Sequence, residues 1–112
     1  MDDASEIFAA ISDEQSREII KLVTNTELTI QQISSMLDIP LSTAYRKTRK
    51  LEELEIIKKT KVIRTLEGLD ESYYKNWINE IVVTYRDGEL SFKLERIKME
   101  DKIVRLWQKF SE

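Results

Sequence analysis

The chain contains no cysteine and no histidine in its 112 residues. Without cysteine there is no disulfide framework, and neither thiolate nor imidazole is present to hold a transition metal. The commonest general base and the strongest side-chain nucleophile are also missing, which weakens any enzymatic reading. Only two glycines occur, so there is no glycine-rich phosphate loop. The single proline, Pro40, acts as punctuation rather than as part of a proline-rich segment. No apolar run is long enough to span a bilayer. The opening Met-Asp-Asp lacks the basic start and apolar core of a signal peptide, so the chain is expected in the cytoplasm, with no membrane partner. Nothing in the spacing of the carboxylates suggests a metal site, and no cofactor is implied.

What is present suits one globular unit with a modest core: 41% hydrophobic and 35% charged residues. The net charge of −3 is unevenly spread. Residues 45–64 hold eight basic and three acidic residues, whereas residues 1–30 hold seven acidic and two basic ones. Attraction to phosphate depends on such a local patch, because the Debye length is about 8 Å at physiological salt.

The most informative segment is 29–54. Thr29 with Gln32 forms a capping box. Ile30, Ile33 and Leu37 then give a short helix one apolar face. Asp38 tolerates a left-handed turn, and Pro40 fits the first turn of a second helix, which begins near Pro40 to Ser42. In that second helix Leu41, Ala44, Thr48, Leu51 and Leu54 share a face. The opposite face carries Ser42, Tyr45, Arg46, Arg49 and Glu53, flanked by Thr43, Lys47 and Lys50. Arginine can pair in bidentate fashion with guanine, and hydroxyls reach several base edges. Lysines at the margin reach phosphates. A solvated charged face is the plainer alternative, but small polar residues at the start of a helix that follows a helix and a turn favour DNA recognition.

Around this segment, 4–11 reads as a short helix with Ile7, Phe8 and Ile11 on one side. Ser12 with Gln15 reads as a second capping box, opening a helix to about Val23. After the second helix, β-branched residues 55–65 and residues 72–78 flank a loop at 66–70, a β-hairpin placed as a wing. Lys58, Lys59, Lys61 and Arg64 lie on its first strand, and Glu67, Asp70 and Glu71 make its tip acidic. Tyr73, Tyr74 and Trp77 read either as core residues or as an aromatic ligand site, the first being favoured. Residues 80–85 and 89–94 flank Asp87-Gly88, a strong hairpin signal, with Ile81, Val83 and Tyr85 alternating. Met99, Ile103, Leu106, Trp107 and Phe110 form a helical stripe in the last segment.

Residues 10–78 resemble the winged-helix domain of the ArsR-like transcriptional regulators, in a form common among archaeal proteins. The resemblance is carried by residues 11–23, 28–30, 39–46 and 51–57. It implies an α+β, mainly α fold: a winged helix-turn-helix with an extra β-hairpin and a C-terminal helix. Residues 1–97 would form the DNA-binding domain with extended hairpins, and 98–112 a dimerisation helix. The implied function is a sequence-specific regulator that binds double-stranded DNA as a homodimer, with residues 41–54 in the major groove. The expected DNA contacts are Ser42, Thr43, Tyr45, Arg46, Lys47, Arg49, Lys50, Lys58, Lys59, Lys61 and Arg64. Terminal helices form the dimer interface in that family, so Ile7, Phe8, Ile103, Leu106, Trp107 and Phe110 are expected there. Many ArsR-like proteins sense metals through cysteine and histidine, which this chain lacks. A winged helix acting as a protein–protein module in a larger assembly is the alternative, and it would accommodate the acidic wing tip.

Overall fold

A computed structural model describes residues 3–97. The stripe at residues 99–110, including Ile103, Leu106, Trp107 and Phe110, lies outside the described residues. Four helices are followed by two antiparallel hairpins: α1 (Asp3–Ser12), α2 (Glu14–Asn25), α3 (Ile30–Leu37), α4 (Leu41–Glu53), β1 (Ile57–Arg64), β2 (Asp70–Asn76), β3 (Ile78–Arg86) and β4 (Glu89–Arg96). This is the expected α+β architecture, helical in its first half. Ile7, Ile19, Val23, Ile33, Ala44, Leu51, Ile56, Ile57 and Tyr74 form one continuous core that joins all four helices to the first hairpin.

The chain breaks between α1 and α2 because Asp13 takes an extended conformation and caps α2, its side chain accepting from the Ser16 N–H. The cap expected at Ser12 with Gln15 is therefore displaced by one residue, and it is a single side-chain cap rather than a capping box. Ser12 instead closes α1, donating its hydroxyl to the Phe8 carbonyl at 2.7 Å. Ile7 was expected at a dimer interface, yet it is a member of the chain's own core cluster. Phe8, at 52% exposure, remains on the surface.

The helix-turn-helix forms as its residues dictate. Thr29 and Gln32 make both hydrogen bonds of the capping box. Asp38 stands at φ 53°, ψ 50°, and its N–H reaches the Ser34 and Ser35 carbonyls. The Ser34 hydroxyl donates to the Ile39 carbonyl at 2.6 Å, which tightens the turn before Pro40. Ala44, Thr48 and Leu51 are the buried side of α4. Leu41, expected on that side, is 51% exposed.

Just past α4 and its cap Leu54, Glu55 takes φ 60°, a position where glycine is the usual occupant. The Ile56 N–H then bonds the Leu51 carbonyl at 3.0 Å, and the chain enters the wing with Ile56 and Ile57 buried. β1 pairs with β2 from Ile57↔Asn76 to Arg64↔Asp70, with a bulge between Lys59 and Lys61. Leu28 adds a one-residue antiparallel bridge to Tyr74, fixing the wing to the α2–α3 connection. Asn76 is buried, accepting from the Ile78 N–H and donating to the Ile78 carbonyl, both at 2.9 Å. It thereby supplies the pairing that the backbone loses where β2 gives way to β3. The second hairpin turns at Asp87 and Gly88, with φ of 51° and 79°, which matches the two left-handed positions of a type I′ turn.

Candidate nucleic-acid interface

Side chains pointing away from the buried stripe of α4 define its outer face. Ser42, Tyr45, Arg46 and Arg49 are exposed there, and Thr43 is half-buried. Tyr45 and Arg49 form a unit: Arg49 Nη1 donates to the Tyr45 hydroxyl at 3.2 Å, and its guanidinium lies 5.7 Å from the ring centroid. Arg49 Nε also meets Glu52 Oε1 at 3.4 Å. Arg46, one turn before Lys50 and Arg49, has no ion pair or hydrogen-bond partner among the described residues. It is the α4 arginine most available to a ligand.

The two lysines of α4 are held differently. Lys47 turns inward, its side chain 14% exposed, and its ammonium lies 2.6 Å from Asp13 Oδ2. The ammonium beside Asp13, together with the Ser16 hydroxyl and N–H, lowers that carboxyl from 3.8 to about 2. Lys47 was expected to touch DNA; the structure instead makes it a strap between α2 and α4. Lys50 sits at the margin, 3.1 Å from Glu6 Oε1 on α1 and 3.9 Å from Glu53 Oε2.

The wing cations divide between the two faces of the hairpin, and the bulge at Thr60 decides how. Directly paired residues of antiparallel strands share a face. Ile57, Asn76 and Tyr74 are buried on the side turned toward the helices. Lys59 pairs with Tyr74, Val62 with Ser72 and Arg64 with Asp70, so Lys59 and Arg64 lie on that helix-facing side. Lys58 pairs with Lys75 and Lys61 with Tyr73, on the other side. Without the bulge Lys59 and Lys61 would share a face, since a one-residue slip reverses every side chain beyond it.

Contacts on the far side agree with this division. Lys61 meets Glu27 at 3.3 Å and lies 4.8 Å from the Tyr73 ring centroid. Lys58 and Arg96 stand 5.3 Å and 4.9 Å from the centroid of Trp77. The three aromatic residues are thus separated rather than gathered: Tyr74 is core, and Tyr73 and Trp77 are each covered by cations. On the helix-facing side, burial raises the Tyr74 hydroxyl above its usual range, with Glu52 of α4 adding to the effect. Tyr74 also shares the core cluster with Ala44 and Leu51, so this side of the wing is turned toward α4.

At the wing tip the chain closes through the Leu69 N–H and Thr65 hydroxyl at 3.1 Å, with Gly68 at φ 83°. Leu66 and Leu69 are fully or largely exposed, beside Glu67 and Asp70.

A helix-turn-helix whose second helix is followed directly by an antiparallel hairpin defines a winged-helix domain. Residues 11–75, more than half of the chain, match the family described as sugar-specific transcriptional regulator TrmB, and the chain belongs to that family. The ArsR-like resemblance and this match agree on a winged-helix regulator; the family matched is TrmB. No curated protein matches the chain. No helix among the described residues is long and apolar enough to cross a membrane.

Proposed function

We propose that the protein binds double-stranded DNA in a sequence-specific manner, with α4 in the major groove. The observation that carries this reading is the outer face of α4, where Arg46 is unpaired and Ser42, Tyr45 and Arg49 are exposed beside it. Arg46 and Arg49 would read base edges, and Ser42 and Thr43 would lie near the helix entry to the groove. Lys59 and Arg64, on the wing face nearest α4, would reach phosphates. Lys47 is left out of the contact set because its charge is spent on Asp13, and Lys58 and Lys61 because they lie on the far face. No enzymatic step, metal or cofactor is part of this reading.

The protein would act as a homodimer. The apolar stripe of Ile103, Leu106, Trp107 and Phe110 in the sequence supports this, and exposed Phe8 offers a further apolar surface. A two-fold dimer sets recognition helices about 34 Å apart and calls for a pseudo-palindromic site. Selection of bound fragments from genomic DNA tests the proposal. Enrichment of one motif with two half-sites about one helical turn apart is expected. Recovery of unenriched DNA rejects sequence-specific recognition, and a single half-site with a monomer in sedimentation rejects the dimer.

The acidic, leucine-bearing wing tip favours a second reading, contact with a protein partner. It is compatible with DNA binding by α4 on the same molecule.

A further inference from the structure

Lys50 occupies an unusual place for a lysine on a recognition helix. It follows Arg46 by four residues and so stands on the adjacent turn of the same side. It borders the surface offered to a phosphate backbone, yet it faces two carboxylates. Glu6 Oε1 is 3.1 Å away and Glu53 Oε2 is 3.9 Å away. The charge of that small cluster is negative. Glu6 comes from α1, an element that precedes the helix-turn-helix. Both partners keep contact with water, at 45% exposure for Lys50 and 25% for Glu6, and pairs of this kind add little to stability. The consequence of the pair is therefore to be sought in binding.

We propose that Glu6 sets the protein's overall affinity for DNA: it occupies Lys50 as a phosphate would, withholding one cation from the DNA backbone. The proposal rests on the DNA-binding reading above. Sequence-independent affinity comes almost wholly from phosphate neutralisation, and each neutralised phosphate steepens the salt dependence by about 0.9 in log–log slope. Base readout by Arg46 and Arg49 does not pass through Lys50. Withholding Lys50 thus lowers binding to all sequences while leaving discrimination intact.

The test is Glu6→Gln in the full chain, with binding to a selected duplex and to a scrambled duplex followed across a salt series. Far-UV circular dichroism establishes that the variant is folded. The variant's slope on the scrambled duplex should steepen by about 0.9 per bound protomer, and its affinity there should rise on the order of fivefold to tenfold per protomer at 0.1 M salt. The double variant with Lys50→Gln should bind like Lys50→Gln alone. An unchanged slope in Glu6→Gln overturns the inference. So does a gain that persists without Lys50, since it then reflects net charge alone. Binding by the unmodified chain with Glu6→Gln unaltered overturns this inference alone. Failure of the unmodified chain to bind either duplex overturns the DNA-binding reading and this inference with it.

Discussion

Lys47 Nζ lies 2.6 Å from Asp13 Oδ2, across 34 residues of sequence. Asp13 is at once the cap of α2 and the anchor of the recognition helix, because the same oxygen accepts from the Ser16 N–H and hydroxyl at 2.9 Å and 2.8 Å. One carboxylate therefore fixes both where α2 begins and how α4 is rotated against it.

This coupling predicts an acid-sensitive component of stability. The Asp13 carboxyl is held at about 2 by the Lys47 hydrogen bond, below its ordinary 3.8. A lowered folded-state value means the stabilisation is complete above the ordinary value and lost as pH falls through about 2. The Asp13 side chain is 38% exposed, so solvent screening limits the contribution to about 1 kcal/mol. Asp13→Asn keeps a competent cap but loses the charge pair. Denaturant unfolding should show a deficit of about 1 kcal/mol at neutral pH that disappears near pH 2. A deficit independent of pH contradicts the charge-pair account.

Thr48 is fully buried, and its hydroxyl has no hydrogen-bond partner among the described residues. A desolvated, unpaired hydroxyl costs about 1–3 kcal/mol, and valine has nearly the same shape. Thr48→Val should raise the thermal midpoint, with a gain of about 1 kcal/mol. A loss of stability would show that the hydroxyl is satisfied in solution by a bound water.

Much of this arrangement was legible in the sequence because it is local. The Thr29–Gln32 box, the left-handed Asp38, the start near Pro40 and the Asp87-Gly88 turn each depend on a few adjacent residues. Ser12 with Gln15 reads as the start of α2, whereas the cap stands one residue later, on Asp13. Leu41 fits the apolar period of α4, but period alone does not show that the core begins only one turn later, at Ala44. Lys47 looks like any exposed cation until its distant partner is placed. The Thr60 bulge left no mark in the pattern, and it decides which wing lysines face α4. The Leu28–Tyr74 bridge likewise joins residues far apart in the chain.

The two faces of the wing give a contrast within one strand. Arg46→Ala and Lys59→Ala should weaken duplex binding, whereas Lys58→Ala, on the opposite face, should leave it unchanged. Loss of an Arg46 base contact should cost about 1–3 kcal/mol and relax discrimination at one base position, while loss of Lys59 should weaken all sequences alike. Fluorescence anisotropy with a panel of single-base-substituted duplexes separates these patterns. A larger effect of Lys58→Ala than of Lys59→Ala would place the opposite wing face on the DNA.

The central claim is that α4 and the near face of the wing bind duplex DNA through a small set of cations. Its most direct test is the salt dependence of binding to a selected duplex. If each of two protomers places Lys59 and Arg64 on phosphates, log K should fall against log salt with a slope of about −3.6. Affinity that stays constant from low to physiological salt contradicts the claim and leaves the protein-partner reading in its place.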